Sequence, residues 1–285
     1  MPCILIISIL VEGCSTAPKK PKEKIVFASI LPLKYFVDKI VGDLYKVEVT
    51  VPPGVGPETY SPTPKQMKML SEADAYFAVG FLGFEVDLLS KFSSLNPNLK
   101  VFQISKGINL IEEKEEAHTD HVHLEGVDPH IWSSPKEARI ISQNIWEGMI
   151  SVDPANKEHY SKNLNSLLSE IDRIDSTITE ILTKAKVKKF IIFHPALGYF
   201  ARAYGLEQLS IEFEGKVPSP KHMQELIENA RSGNVRLVFI KKEFDKRNAE
   251  IVAQELGCKA VQIDPLDYNW PEQMISIASM LANNP

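Results

Sequence analysis

The feature that most constrains the fold is one long helical segment in the middle of the chain. It opens at Asp153-Pro154, runs to about Ala185, and contains no glycine or further proline. Its apolar side chains recur at helical spacing, at Leu164, Leu167, Leu168, Ile171, Ile174, Ile178, Ile181 and Leu182. A continuous helix from Pro154 to Ala185 would be roughly 45 to 50 Å long, because each residue adds about 1.5 Å. Such a helix could join two lobes rigidly.

Strand-like and helical runs alternate on both sides of this segment. The strand-like runs before it are Ile25–Ile30, Lys46–Val51, Ala75–Val79 and Lys100–Ile104. Those after it are Lys189–Phe193, Glu207–Ile211, Val235–Ile240 and Ala260–Ile263. This alternation is typical of parallel sheets covered by helices. The sequence therefore predicts an α/β protein of two lobes, each with a parallel-type sheet flanked by helices, joined by one long rigid helix.

Short motifs predict where several helices begin. Thr63-Pro64-Lys65-Gln66 and Ser134-Pro135-Lys136-Glu137 each combine a capping hydroxyl, a proline at the first helical position and an acceptor three residues after the cap. We expect further helices to start near Pro220 and Asn248.

Charge and composition narrow the function classes. The formal net charge is -5, and no stretch concentrates lysine and arginine into a patch that could follow phosphates, so we expect no nucleic-acid partner. A hydrophobic content of 44% over 285 residues is enough for a fully folded protein with a sizeable core.

The N-terminal residues resemble an export signal. An apolar run, Ile4–Val11, is too short to span a bilayer and is followed by Cys14 after a small residue, which makes Cys14 a candidate lipidation site. The alternative is a short buried strand. A tether rich in proline and lysine follows, and Cys258 is then the one remaining cysteine, which excludes an intrachain disulfide in the mature chain and favours packing in the interior.

Histidines and carboxylates fall just after strand-like runs. His194 follows one such run, Asp264 ends another, Glu58 lies in the loop after the run ending at Val51, and His130 precedes a predicted helix. Ligands of parallel sheets bind beyond the carboxyl ends of strands, so these four residues are candidate metal ligands, two from each lobe. Each also has a structural alternative, such as a helix cap for Asp264, a surface loop carboxylate for Glu58 or a satisfied buried histidine.

Two imidazoles and two carboxylates suit a borderline divalent cation. Zinc takes these donors in four-coordinate sites, while manganese and iron accept the same donors with more oxygen. A second cluster, His118, His121 and His123 within an acidic run, is either a solvated loop or an auxiliary, low-affinity metal collector. The motifs of metalloproteases, serine hydrolases, phosphate-binding loops and dithiol oxidoreductases are absent from the sequence.

As a set, five motifs resemble the zinc/manganese-type solute-binding lipoproteins of bacterial ABC importers. They occur in family order over nearly the whole mature chain, at Pro52–Pro64, Gly126–Trp132, Phe193–Ala201, Ile211–Ser219 and Ile263–Leu266. The resemblance implies two α/β lobes joined by one long helix, with a metal buried between the lobes. It also implies metal-ligand roles for His130, His194 and Asp264. The family commonly has Pro-His-x-Tyr where this chain has Pro57-Glu58-Thr59-Tyr60, so either Glu58 ligates through oxygen or water completes the shell.

The resemblance implies transport rather than catalysis. We expect a protein that binds Zn²⁺ outside the cytoplasmic membrane and delivers it to the membrane permease of an ABC transporter, with Mn²⁺ or Fe²⁺ as the alternative cargo. We expect a monomer with a lipid anchor in the membrane.

The sequence predicts five segments along the chain. They are a signal with the lipidation motif (1–14), a tether (15–24), an N-terminal metal-binding lobe (25–152), the linking helix (153–186) and a C-terminal metal-binding lobe (187–285).

Two hypotheses from other functional classes, a hydrolase and an adhesin, remain open. A zinc-dependent hydrolase would need a spare acid or base, for which Glu212 and Glu214 are the available residues. An adhesin would use its metal only to stabilise the fold.

Overall fold

The computed structural model describes residues 23–57, 60–112, 126–185, 188–212, 219–233, 235–242 and 247–283. Its strands form two parallel sheets of four strands each within these residues. The N-terminal sheet has the order β2-β1-β3-β4, and the C-terminal sheet has the order β6-β5-β7-β8. The strands are β1 Ile25–Ala28, β2 Lys46–Val49, β3 Ala75–Ala78, β4 Lys100–Gln103, β5 Lys189–Ile192, β6 Glu207–Ser210, β7 Leu237–Lys241 and β8 Lys259–Ile263.

Helices connect the strands and cover both sheets, as parallel pairing requires. They are α1 Leu31–Val41, α2 Pro64–Ser71, α3 Gly83–Leu95, α4 Pro135–Val152, α5 Lys157–Thr183, α6 Gly198–Tyr204, α7 Pro220–Ser232, α8 Arg247–Leu256 and α9 Trp270–Ala282. The predicted fold class of two helix-flanked parallel sheets with a long linking helix is confirmed.

The linking helix is α5, and it starts later than predicted. Pro154–Asn156 forms a short 3-10 turn, in which the Asn156 side chain donates to Asp153 Oδ2 at 2.9 Å. The regular helix then runs for 27 residues, about 40 Å at 1.5 Å per residue. The predicted helix from Pro154 is therefore continuous, but its first turn is a 3-10 turn and not an α-helical one, because proline fits a tight turn as well as a first helical turn.

The two predicted N-terminal caps are both present, but they differ in detail. Thr63 and Gln66 form a complete capping box at α2. At α4 the Ser134 side chain accepts from the Lys136 backbone N–H, while Glu137 pairs with Arg202 on α6 at 2.8 Å instead of reaching back to the cap. Glu137, the acceptor predicted for the capping box of α4, therefore links α4 to α6 by an ion pair.

One hydrophobic core extends across both sheets. It contains Phe27 and Phe77 from the N-terminal sheet, Phe190 and Phe239 from the C-terminal sheet, and Ile171 from α5. A smaller cluster lies on the other face of the C-terminal sheet, under α7 and α8. Cys258 packs at the edge of that cluster and is half-buried, so it is less enclosed than the sequence suggested. In the part of the chain that the structure describes, no helix is both long and apolar enough to cross a bilayer.

Candidate metal site

His130 is held in the interior by the aspartate two residues before it. The histidine residue is 5% exposed and lies directly before a short turn that leads into α4. Asp128 Oδ1 accepts from the backbone N–H of His130 at 2.9 Å and lies 2.8 Å from its Nδ1. A carboxylate oxygen can only accept, so this contact assigns the ring hydrogen to Nδ1 and leaves the lone pair on Nε2. The ring is therefore oriented as metal-binding imidazoles usually are.

His194 has the same kind of support in the other lobe. It lies two residues after the end of β5, and its Nδ1 lies 2.7 Å from Glu212 Oε2. Glu212 comes just after the neighbouring strand β6, and its backbone N–H donates to the Phe193 carbonyl at 2.9 Å. The parallel pairing of β5 and β6 thus places a carboxylate beside the imidazole although 18 residues separate them in sequence.

The two histidines meet between the lobes. Their ring centroids are 5.1 Å apart at an angle of 72°, and the Trp132 ring lies 5.2 Å from the His130 ring. Burial lowers the pKa of His130; the hydrogen bond to Asp128 opposes this, and the nearby charges of His194 and Lys241 add to the lowering. A neutral imidazole is the form that binds a metal.

Asp264 lies on the wall of a cavity. Its Oδ1 accepts from the Leu266 backbone N–H at 3.1 Å, which caps the turn after β8. The adjacent cavity has a volume of about 260 Å³, and its lining includes Asp264, Lys242 and Tyr268 from the C-terminal lobe and residues 51–55 from the N-terminal lobe. The Trp132 indole donates to the carbonyl of Pro265 at 2.9 Å and so links the two parts of the site.

The described residues supply only part of a complete ligand set. Across them, no three histidine, cysteine, aspartate or glutamate side chains are grouped closely enough to hold a metal. Glu58, the fourth predicted ligand, lies outside the described residues, as do His118, His121, His123 and Cys14. An antiparallel bridge pairs Glu112 with Val127, so the chain leaves and re-enters the described part close to Asp128 and His130.

Three residues of the site were not identified from the sequence. Asp128 sits in the same motif as His130 and could have been suspected from its position two residues earlier. Glu212 was considered only as a catalytic base, because its contact with His194 depends on strand pairing. Lys241 ends an apolar strand, and its burial is visible only in the folded protein.

The sequence profile described as ZnuA, zinc-uptake complex component A periplasmic, matches residues 26–284. The chain belongs to this family. The high-affinity zinc uptake system protein ZnuA of Bacillus subtilis strain 168 is 30% identical over 91% of this chain and 85% of its own length. The zinc-binding lipoprotein AdcA of Streptococcus pneumoniae TIGR4 is 25% identical over 91% of this chain, which spans 53% of that longer protein.

The fold agrees with the family as well. A crystal structure of ZnuA superposes with a TM-score of 0.84 at 36% identity, covering 92% of this chain and 99% of that chain. The ZnuA family is a periplasmic solute-binding component of zinc uptake and not an enzyme family, so the prediction of transport rather than catalysis is confirmed. The family also confirms zinc as the predicted kind of cargo.

Proposed function

We propose that this protein captures one zinc ion between its two lobes, outside the cytoplasmic membrane, and delivers it to the permease of an ABC importer. The observation that carries the proposal is the pair of histidines, one from each lobe, with ring centroids 5.1 Å apart and a carboxylate at each Nδ1. This arrangement presents two Nε2 lone pairs to one region, and a carboxylate behind a histidine ligand is the usual support of a zinc site.

Asp264 and Glu58 are the proposed oxygen ligands. Asp264 directly follows β8, on the same sheet edge from which His194 emerges, and the hydrogen bond from Trp132 to Pro265 joins its loop to the His130 turn. Two nitrogen and two oxygen donors satisfy a four-coordinate zinc ion. Manganese and iron, which prefer more oxygen, are the competing cargoes that a titration separates.

The remaining proposals concern the segments beyond the lobes. Residues 1–14 serve as an export signal with lipidation at Cys14, and 15–24 as a tether, which agrees with the name lipoprotein carried by the streptococcal relative. The lobes span 25–152 and 187–285, the linking helix spans 153–186, and the protein acts as a monomer. His118, His121 and His123 collect metal close to His130, since their segment begins and ends beside it.

The direct test is metal binding by purified full-length protein. Competitive titration of Zn²⁺, Mn²⁺, Fe²⁺ and Ni²⁺ against a chromophoric chelator should give one tight zinc site. His130→Ala and His194→Ala should each weaken zinc binding by more than about 100-fold, beyond what loss of an outer-shell partner costs. His159→Ala is the matched control, because His159 is an exposed histidine on α5. Zinc binding indifferent to both site variants would refute the proposal, and tighter manganese binding would reassign the cargo.

Delivery has its own test in cells. A strain lacking the gene should take up less radioactive zinc in zinc-depleted medium, and the wild-type gene should restore uptake. The His130→Ala/His194→Ala double variant should not restore it. Normal uptake in the deletion strain would separate this protein from zinc import.

A further inference from the structure

A lysine is buried beside the candidate metal site. Lys241 is the last residue of β7 and is 1% exposed, whereas its neighbour Lys242 is exposed. The four residues of β7 before it are apolar. Moving an ammonium group out of water is costly, so a lysine enclosed at the end of an apolar strand needs an explanation from its surroundings.

The sheet places Lys241 between two proposed ligands. β7 is flanked by β5 and β8 in the strand order, and all three run parallel. His194 follows β5, Asp264 follows β8, and Lys241 is paired in register with Ile263, the residue before Asp264. The carboxyl ends of the three strands therefore bring an imidazole, an ammonium and a carboxylate to one edge of the sheet.

Alternation along β7 identifies the face on which Lys241 lies. Successive side chains of a strand point to opposite faces, so Lys241 shares a face with Leu237 and Phe239. Those two residues belong to the larger core, which also contains Trp132 and Trp270, while Val238 and Ile240 belong to the smaller cluster on the other face. The positive charge of Lys241 reaches His130, whose pKa it lowers. The lysine thus faces the region where the two histidines meet.

A fixed positive charge in this region has an electrostatic consequence. In the metal-free protein it offsets the negative charge of the nearby carboxylates, which would otherwise repel one another in a partly desolvated space. When a divalent cation binds, the same ammonium repels it. Both effects lower the affinity of the site for metal, and neither is expected at Lys259, an exposed lysine at the opposite end of the sheet.

We propose that Lys241 sets the affinity of the site for metal. Its ammonium group balances the carboxylate charge in the metal-free protein and repels the bound cation, and so keeps metal binding reversible. This inference rests on the proposed function, because it assigns to Lys241 a role in the same site. The inference predicts that removal of the lysine strengthens metal binding. Damage to the fold would weaken binding instead, so the direction of the change separates an electrostatic role from a purely structural one.

The test compares full-length wild-type protein with Lys241→Gln and Lys241→Met. The matched control is Lys259→Gln, because Lys259 is exposed and begins β8, at the end of the sheet opposite Asp264. Zinc affinity is measured by competition with a chromophoric chelator, and zinc dissociation by a chase with excess chelator. Both Lys241 variants should bind zinc at least about tenfold more tightly and release it more slowly, as expected for loss of a unit charge near a divalent ion. Lys259→Gln should match the wild type. Lys241→Arg keeps the charge and should retain wild-type affinity.

The experiment distinguishes failure of the inference about Lys241 from failure of the proposed function. If the wild type binds zinc through His130 and His194 but neither Lys241 variant binds it more tightly, the inference about Lys241 is overturned and the proposed function stands. If the wild type binds no metal at the histidines, the proposed function itself falls, and the inference falls with it. Cooperative unfolding of each variant, followed by near-ultraviolet circular dichroism, confirms that the affinities compare folded proteins.

Discussion

Glu85 lies in the interior of the N-terminal lobe, where its carboxyl group meets the loops that follow β1 and β3. It accepts from the backbone N–H of Val79 at 3.0 Å and of Gly80 at 2.6 Å, and Ser29 Oγ is in short contact with its Oε1. Ser29 Oγ also lies 2.9 Å from the Phe77 carbonyl. A hydroxyl has one hydrogen and cannot donate to both oxygens, so a proton on Glu85 completes the network. This agrees with burial, which raises the pKa of Glu85 to about 7.

The raised pKa predicts a loss of stability as the pH rises. An unfolded chain releases the Glu85 proton near pH 4.5, while the folded chain keeps it until about pH 7. The stabilising contribution is therefore complete below pH 4.5 and is lost as the pH rises through 7, up to about 3 kcal/mol for a shift of this size. Urea unfolding at pH 5 and pH 8 should show this loss in the wild type and not in Glu85→Gln.

The control for this measurement is Glu250→Gln, which removes an exposed carboxyl group on α8 and should keep the wild-type dependence on pH. All other titrating groups are common to the proteins, so only the difference between them is interpreted. Equal pH dependence in wild type and Glu85→Gln would mean that Glu85 is ionised in the folded state.

At the level of single residues, sequence reasoning found groups whose position is set by the chain itself. His194 and Asp264 were identified because strand ends are visible in a sequence, and the structure brings the rings of His194 and His130 together. Partners that depend on packing between distant segments were missed. Glu212 reaches His194 only through the pairing of β6 with β5, and the protonation of Glu85 depends on burial between two loops. The ligand roles themselves stay predictions until metal binding is measured.

Among the structural elements, two tryptophans join the turn after His130 to the C-terminal lobe. The Trp132 indole N–H donates to the Pro265 carbonyl at 2.9 Å, and the Trp270 indole N–H donates to the Trp132 carbonyl at 2.6 Å. Both side chains are fully buried. Trp270 begins α9 and Pro265 follows Asp264, so this pair fixes the loop after β8 against the turn that carries His130. The relative position of two proposed ligands depends on these bonds.

Replacement of Trp132 by phenylalanine should therefore affect both stability and binding. The Pro265 carbonyl would lose its buried donor, which costs about 1 to 3 kcal/mol of unfolding free energy. Zinc affinity should fall by about tenfold, as is usual when a support of a metal ligand is removed. Urea unfolding and chelator competition measure the two effects.

Trp146→Phe is the matched control, because the Trp146 indole bonds to Ser161 Oγ at 3.1 Å on the partly exposed side of α4. It should leave zinc affinity unchanged. Unaltered zinc affinity in Trp132→Phe as well would show that the bonds of Trp132 stabilise the fold without positioning the site.

Element boundaries show where sequence patterns mislead. Several predicted strands end one or two residues earlier in the structure, before Ile30, Val51, Ile104 and Ile211. These four side chains are buried in loops that leave the sheet edge. An apolar residue in a sequence reports burial and not strand pairing, so the pattern extended each strand into the loop that follows it. The predicted starts of α2, α4 and α7 are confirmed because proline marks them directly.

Over the whole molecule, α5 belongs to both lobes. It packs against α1 and α4 on the N-terminal side and against α9 on the C-terminal side. Further contacts cross between the lobes near the site, where Tyr199 donates to the Asp128 carbonyl at 2.8 Å and Arg202 pairs with Glu137 at 2.8 Å. One continuous core with buried cross-links resists hinge motion, since opening it would expose apolar surface to water.

Metal binding should therefore change the overall shape little. Small-angle scattering of metal-free and zinc-loaded protein should give radii of gyration that differ by less than about 1 Å, because a hinge closure of whole lobes would change the radius by more. The His130→Ala/His194→Ala double variant with added zinc serves as the control and should show no change. A decrease of several ångströms on zinc binding to the wild type would establish hinge closure instead.

The arrangement of the strands also sets the order in which a newly made chain can acquire its metal. The proposed ligands come from the N-terminal lobe, from the loop after β5 and from the residue after β8, and β8 is an edge strand of the described C-terminal sheet. Parallel pairing of distant segments is slow, because long loops must close before contacts form. The proposed ligand set is therefore assembled only after β8, the last of the described strands, has been made and has docked. With these proposed ligands, we expect zinc to be captured by a protein that has already reached its final shape, and not to template the early stages of folding.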